Sequence, residues 1–443
     1  MKRPLIILHG WSDDSKSFRP LASWFRKQGF KTHDVFLGDY ISMRDSIRLT
    51  DLGAALQRAL KDKKVPTSRG AFDLVVHSTG GLVAREFLCQ FCAGNPALSP
   101  IRHLLMLAPA NFGSPLASLG KSMVGRLFKG WKWDGMFQTG TQVLEALELA
   151  SPYSFDLAIR DLFDPQFPIY APEYTQITVL TGTSPYPEPM KRLIHENGSD
   201  GTVRVSTANL NARHYHVDFA DPTAPQMHST SLNAPETAFA VLPLDHGSIT
   251  RPADDPILAE LILNSLRADT PAQYLKHVRH CQTVTEKTYL VGATSAEPKH
   301  FHPFMHVVFR VRDQHGDPVD DYFVEFYQQQ GDRSDRVFEA IHKDILEKVT
   351  KNSRQPSYRS FLFDIKQLEN LLQSRVSTRV EMSLVAADDS EWVGYRNPPD
   401  KPGAGIPIFS GGSNNFIHPN QPVLVDITLH RDPVPAVFKL TKV

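Results

Sequence analysis

Along the first part of the chain, short unbroken apolar runs alternate with longer stretches whose apolar positions recur every three or four residues. Pro4–Leu8, Phe72–Val76 and Ile101–Leu107 read as buried strands, and Phe30–Leu37 and Gln176–Thr181 as further strands of the same sheet. Between them, Phe18–Gln28 has Phe18, Leu21, Ala22, Trp24 and Phe25 on one face and stops at Gly29, the pattern of an amphipathic helix. Leu52–Leu60 after Thr50-Asp51, Leu82–Phe91, and Pro256–Leu266 read as helices in the same way. Strands alternating with helices imply βαβ units, hence a mostly parallel sheet covered on both sides. Ligands on such sheets bind at the carboxyl ends of the strands. His9-Gly10-Trp11, Ser78 and Pro109–Ser114 all follow strands, so they are expected to gather at that edge.

From about 115 to 172 the strand rhythm stops. Leu127–Phe137 alternates large aromatics with Lys and Gly, and helical segments follow at Gln142–Leu149 and Phe155–Phe163. We expect a cap over an apolar pocket, able to make transient contact with a membrane surface. Around 268–302 apolar periodicity weakens, which reads as a linker. Beyond it, Met305–Val311, Tyr322–Tyr327, Ser360–Asp364, Val380–Val385 and Val423–Leu429 are short strands separated by turn signals, interrupted by a helix predicted over Asp335–Lys348. That pattern suggests a small β-sandwich without visible catalytic residues, suited to docking or capping, with its partner unknown. The expected division is 1–267, 268–302 and 303–443.

Composition narrows the function classes. Lys+Arg and Asp+Glu both number 48, so net charge gives no argument for nucleic acid as a partner. Cys89, Cys92 and Cys281 make no disulfide framework, and the pair Cys89/Cys92 has no second pair to complete a metal site. No run reaches the ~18 apolar residues of a membrane span, and Met1–Leu8 lacks the length of a signal peptide. A cytoplasmic protein, or one exported without such a signal, is the expectation. No cofactor or metal site is expected, since no loop has calcium-binding spacing.

The candidate chemistry centres on Val76-His77-Ser78-Thr79-Gly80-Gly81. A strand, a tight turn carrying one Ser and a helix are the context of a nucleophile elbow. Ser78 needs a base for its proton, and His246, in a loop after the run Phe239–Leu242, can supply it. Asp200, in the turn Ser199-Asp200-Gly201, can fix the imidazole tautomer; Asp245, beside the His, is a competing acid. The backbone N–H groups of Thr79 and Trp11 are the candidate oxyanion donors.

With these residues placed, the chain resembles α/β-hydrolase lipases, in the lipase, serine esterase and GPI-inositol-deacylase-like branch. The motifs carrying the resemblance are His9-Gly10-Trp11, Val76–Gly81, Asn111–Ala117, Ser199–Val203 and Asp245-His246, with Val76 where the elbow usually has Gly. The resemblance covers about 1–266. It implies an α/β-hydrolase sheet with a helical cap, and roles for Ser78, Asp200 and His246 as nucleophile, acid and base. The expected activity is hydrolysis of acyl or lipid esters through an acyl-enzyme. A thioesterase or amidase on the same triad, or an inactive hydrolase fold used for binding, are the alternatives.

Overall fold

In a computed structural model of the chain, the described residues are 3–8, 18–35, 45–117, 140–187, 195–328, 336–374, 380–387, 392–399, 404–409, 416–433 and 437. They fall into two compact units. The first comprises Met1–Ala212 with Leu232–His302, the second Arg213–Ser231 with Pro303–Val443.

The first unit is built on six strands, β1 (Pro4–Leu8), β2 (Lys31–Val35), β3 (Phe72–His77), β4 (Ile101–Leu107), β5 (Gln176–Gly182) and β8 (Ala238–Leu242). β6 and β7 belong to the second unit. The order is β2-β1-β3-β4-β5-β8, and every neighbouring pair is parallel. The helices are α1 (Arg19–Lys27), α2 (Leu49–Asp62), α3 (Gly80–Cys92), α4 (Thr141–Leu147), α5 (Pro152–Asp161), the single turn α6 (Val205–Ala208), α7 (Pro256–Leu266) and α8 (Pro271–Gly292). Leu5, Ile7, Val75, Leu105, Leu107, Leu180 and Ala240 form one core with Phe25 of α1, Leu261 of α7 and Tyr274 of α8. Residues of one sheet face share that core because successive strand side chains point to opposite faces. α4 and α5 supply the helices expected after 140. The aromatic segment 127–137, with its expected membrane contact, lies outside the described residues.

The stretch 268–302, read from sequence as a linker, holds the 22-residue helix α8. Thr270 and Gln273 form a capping box and Pro271 opens the first turn. Tyr274, His277, Val278, Cys281, Val284 and Thr288 are its buried face, spaced by three or four. Two of those positions are polar, which is why the periodicity looked weak.

The second unit contains β6 (Arg213–Asp218), β7 (Gln226–Thr230), β9 (Phe304–Asp313), β10 (Tyr322–Gln328), β11 (Leu346–Lys351), β12 (Tyr358–Asp364), β13 (Val380–Ala386), β14 (Val393–Tyr395), β15 (Ile406–Phe409), β16 (Pro422–Leu429) and β17 (Arg431–Pro433). Its helices are α9 (Arg336–Ala340) and α10 (Ile365–Ser374). A six-stranded mixed sheet, β11-β12-β9-β16-β6-β7, and a three-stranded antiparallel sheet, β10-β13-β15, share one hydrophobic core. Val307, Phe309, Val311, Val423, Val425, Ile427 and Val217 face it from the larger sheet. The helix predicted over Asp335–Lys348 becomes a π turn at Ile341–Ile345 and then the strand β11. Pairing of β11 with β12 overrides the helical pattern there.

Candidate active site

β3 ends at His77, and Ser78 follows with φ of 54°, a left-handed conformation that side chains rarely adopt. The surroundings hold it there. Its N–H donates to Leu107 O (3.1 Å), and its carbonyl accepts from Gly81 N (3.1 Å) and Ala110 N (3.2 Å). Such a backbone costs on the order of 1–3 kcal/mol and persists only where its neighbours enforce it. Gly81 makes the sharp turn passable: a Cβ there would come within 2.7 Å of Pro109 Cβ. Thr79, buried, caps α3, so its N–H lies at the positive end of a 13-residue helix.

Asp200 and His246 come together from two loops. Asp200 Oδ2 accepts from His246 Nδ1 at 2.8 Å, and the His246 backbone N–H donates to the Asp200 carbonyl at 3.0 Å. The other carboxylate oxygen, Oδ1, accepts from Thr202 N (2.9 Å) and Val203 N (2.7 Å). Asp200 is fully buried, so these donors replace the water it lost. Gly182, at the end of β5, admits both loops, because a Cβ there would strike the Leu244 carbonyl and lie 3.1 Å from Asp200 Cβ. Asp245 has a different partner set. Its Oδ1 accepts from Gly247 N (2.8 Å) and Ser248 N (2.9 Å), so it closes a turn.

The link to the elbow is His77. Its Nε2 donates to the His246 carbonyl at 3.1 Å, and the two rings lie 4.6 Å apart, with Phe18 on His77 at 5.4 Å. The residue before Ser78 therefore packs on the residue paired with Asp200. Trp11 lies outside the described residues.

Three further features escaped sequence reasoning. Arg85 on α3 is fully buried and pairs doubly with Asp161 (2.8 and 2.9 Å), while donating to the Asn111 carbonyl at 3.0 Å. Tyr170 adds a bond to Asp161 at 2.6 Å. Burial works against the Arg85 charge, but the Asp161 carboxylate outweighs it and raises the guanidinium pKa. This network ties the loop after β4 to the helix behind Ser78; a lone Arg amid the apolar Leu82–Leu88 was its only signal in sequence. The acid loop is braced by Arg204 on Glu196 (2.7 Å). It is also flanked by His195, whose Nε2 lies 3.2 Å from His300 Nδ1. Burial, and then the nearby His300, push His195 down to about 4, so it is neutral at neutral pH.

A strained serine at a parallel-sheet edge and a buried aspartate on a histidine are features of a hydrolase. The chain belongs to the alpha/beta hydrolase family, whose model matches residues 5–256. As a whole it is similar to phospholipase PlaB from Legionella pneumophila, 25% identical, covering 100% of this chain and 96% of that one with a TM-score of 0.83. PlaB in complex with thio-NAD is matched at 24% identity, over 99% of this chain and 96% of that one, with a TM-score of 0.82. No curated protein matches the chain in sequence. The fold and these likenesses make it a lipase/phospholipase-like hydrolase. No described helix is long and apolar enough to cross a membrane.

Proposed function

We propose that the chain is a serine carboxylic-ester hydrolase acting on acyl esters of lipids, phospholipids foremost, through Ser78, His246 and Asp200. The observation that carries this is the buried Asp200–His246 pair at 2.8 Å, one packed residue away from a serine forced to φ 54°. With Nδ1 donating to Asp200, His246 holds its lone pair on Nε2 and can take the Ser78 proton as Oγ attacks the acyl carbonyl carbon. Asp200 stabilises the imidazolium that forms, and its backbone donors keep it in place. The negative oxygen of the tetrahedral intermediate would be met by the N–H groups of Thr79 and Trp11, each such donor contributing about 3–4 kcal/mol. His246 then returns the proton to the leaving alcohol, and water repeats the sequence on the acyl-enzyme. The likeness to a protein named as a phospholipase supports a phospholipid over other acyl esters as the substrate of this chain.

The test is Ser78→Ala, assayed on a panel of phospholipid, triglyceride, short-ester, thioester and amide substrates together with fluorophosphonate labelling. Expected are labelling of the native chain alone, and loss of ester hydrolysis by ~10⁴-fold or more in the variant. Unchanged turnover in the variant would end the proposal. Preference for thioesters or amides in the native chain would move it to those bonds.

A further inference from the structure

β6 places His214 and His216 on the same face of the larger sheet, because the sequence His-Tyr-His follows the two-residue period of a strand. It is the face turned away from the unit's core, which takes Val217 from the same strand. In the parallel register of β6 and β16, His216 stands directly opposite Asp426. His214 Nε2 lies 2.9 Å from Asp426 Oδ2, His216 Nδ1 lies 3.9 Å from the same oxygen, and the two rings are 4.3 Å apart. One donor atom from each residue lies within 4.8 Å of the other two.

We propose that His214, His216 and Asp426 form a binding site for a borderline divalent transition metal, Zn²⁺ foremost, that clamps the hairpin β6–β7 to β16. Two imidazoles and one carboxylate are the donor set such ions prefer; Mg²⁺ and Ca²⁺ need mainly oxygen. Tetrahedral Zn²⁺ with bonds of ~2.0–2.1 Å sets its ligand atoms roughly 3.3 Å apart. The 2.9 and 3.9 Å separations from Asp426 bracket that value, and a turn of the His216 ring would bring its nitrogen to the same distance from His214 Nε2, which lies within 4.8 Å. The fourth corner goes to water, because His216 is exposed. Metal replaces the His214–Asp426 hydrogen bond: the ring takes the tautomer with its proton on Nδ1 and donates the Nε2 lone pair to the ion.

The surroundings suit ligation. Arg310, on the neighbouring β9 and in register with Asp426, donates Nε to Oδ1 and Nη2 to Oδ2 (2.8 Å). Metal-bound carboxylates are oriented by such outer donors. The Arg310 charge, and His228 paired with His216 across β7, oppose a dication. The site is therefore weaker than one built from four anionic or neutral ligands.

The full-length chain, stripped with chelator, reloaded with Zn²⁺ and dialysed, should retain about one equivalent of Zn²⁺ sensitive to His216. Zn²⁺ should raise the Tm of the native chain and Mg²⁺ should not. The site should also give the visible bands of tetrahedral Co²⁺. His216→Ala, which removes an exposed side chain, should lower Zn²⁺ affinity at least ~10-fold and leave fluorophosphonate labelling unchanged. Asp426→Asn should weaken binding likewise. Zn²⁺ retention equal in the native chain and His216→Ala, or a native Tm indifferent to Zn²⁺, would overturn the proposal.

Discussion

The molecule holds two Asp–His pairs of nearly equal length, the buried Asp200–His246 at 2.8 Å and the partly buried Asp426–His214 at 2.9 Å, in environments of opposite character. Asp200 is held by backbone N–H groups, which satisfy its oxygens without cancelling its charge. Asp426 faces a guanidinium that neutralises it. An aspartate held by backbone donors, with no arginine or lysine on it among the described residues, can stabilise an imidazolium as it forms. One already matched to an arginine has much less to offer a proton transfer, and serves as an anchor or a ligand. Contact between a histidine and an aspartate is thus not enough to mark a catalytic acid; the remaining partners of the carboxylate decide.

Substitutions can break this contrast, and their expected effects fall in order. Asp200→Asn should lower kcat by ~10⁴-fold with the fold intact, whereas Asp426→Asn should leave ester turnover within a few-fold. Equal losses in both, read by steady-state kinetics, would erase the distinction. Arg310→Met leaves the Asp426 charge uncompensated and should cost about 2–3 kcal/mol, below the value for a fully buried pair because both side chains keep some exposure. Denaturant unfolding measures it.

Acid sharpens the comparison next. The Asp426 pKa is depressed from 3.8 to about 2, so its contribution is complete above pH 4 and is lost as pH falls toward 2. That loss is about 2 kcal/mol and should vanish from the pH profile of Asp426→Asn. Smallest is Asp245→Asn, which loosens the turn at Gly247 and Ser248. It should lower stability by about 1 kcal/mol, with kcat changed little beside the loss in Asp200→Asn. A ~10⁴-fold loss there would transfer the acid role to Asp245.

Most of the parallel sheet was legible because β1, β3, β4 and β5 are buried and largely apolar; β2, Lys-Thr-His-Asp-Val, lacks that pattern. The Ser78 elbow was legible because strand, turn and helix are contiguous in sequence. Asp200 is preferred over Asp245 in sequence because adjacent side chains in a loop rarely face each other; what brings Asp200 to His246 is the Gly182 gap and the Thr202 and Val203 donors, which no local pattern encodes. Arg85 and Asp161 are 76 residues apart and meet only after folding. The hairpin 213–231 was equally hidden. Its alternation of polar and apolar residues suits a strand in any sheet, and its partner β16 lies more than 200 residues further on.

That hairpin has a consequence for how the chain can be made. When a ribosome finishes β6, the strand that will pair with it is about 210 residues away, judged by the 212-residue separation of His214 and Asp426. At ~5–20 residues per second this is roughly ten to forty seconds of synthesis during which a strand edge and the apolar side chains Val217 and Phe219 await cover. A fragment beginning at Pro303 would inherit the complementary fault, an open β16 edge. The C-terminal region is therefore not a detachable module, and a stop codon at its boundary would leave the hairpin β6–β7 as an adhesive remnant of a sheet whose other four strands are never made.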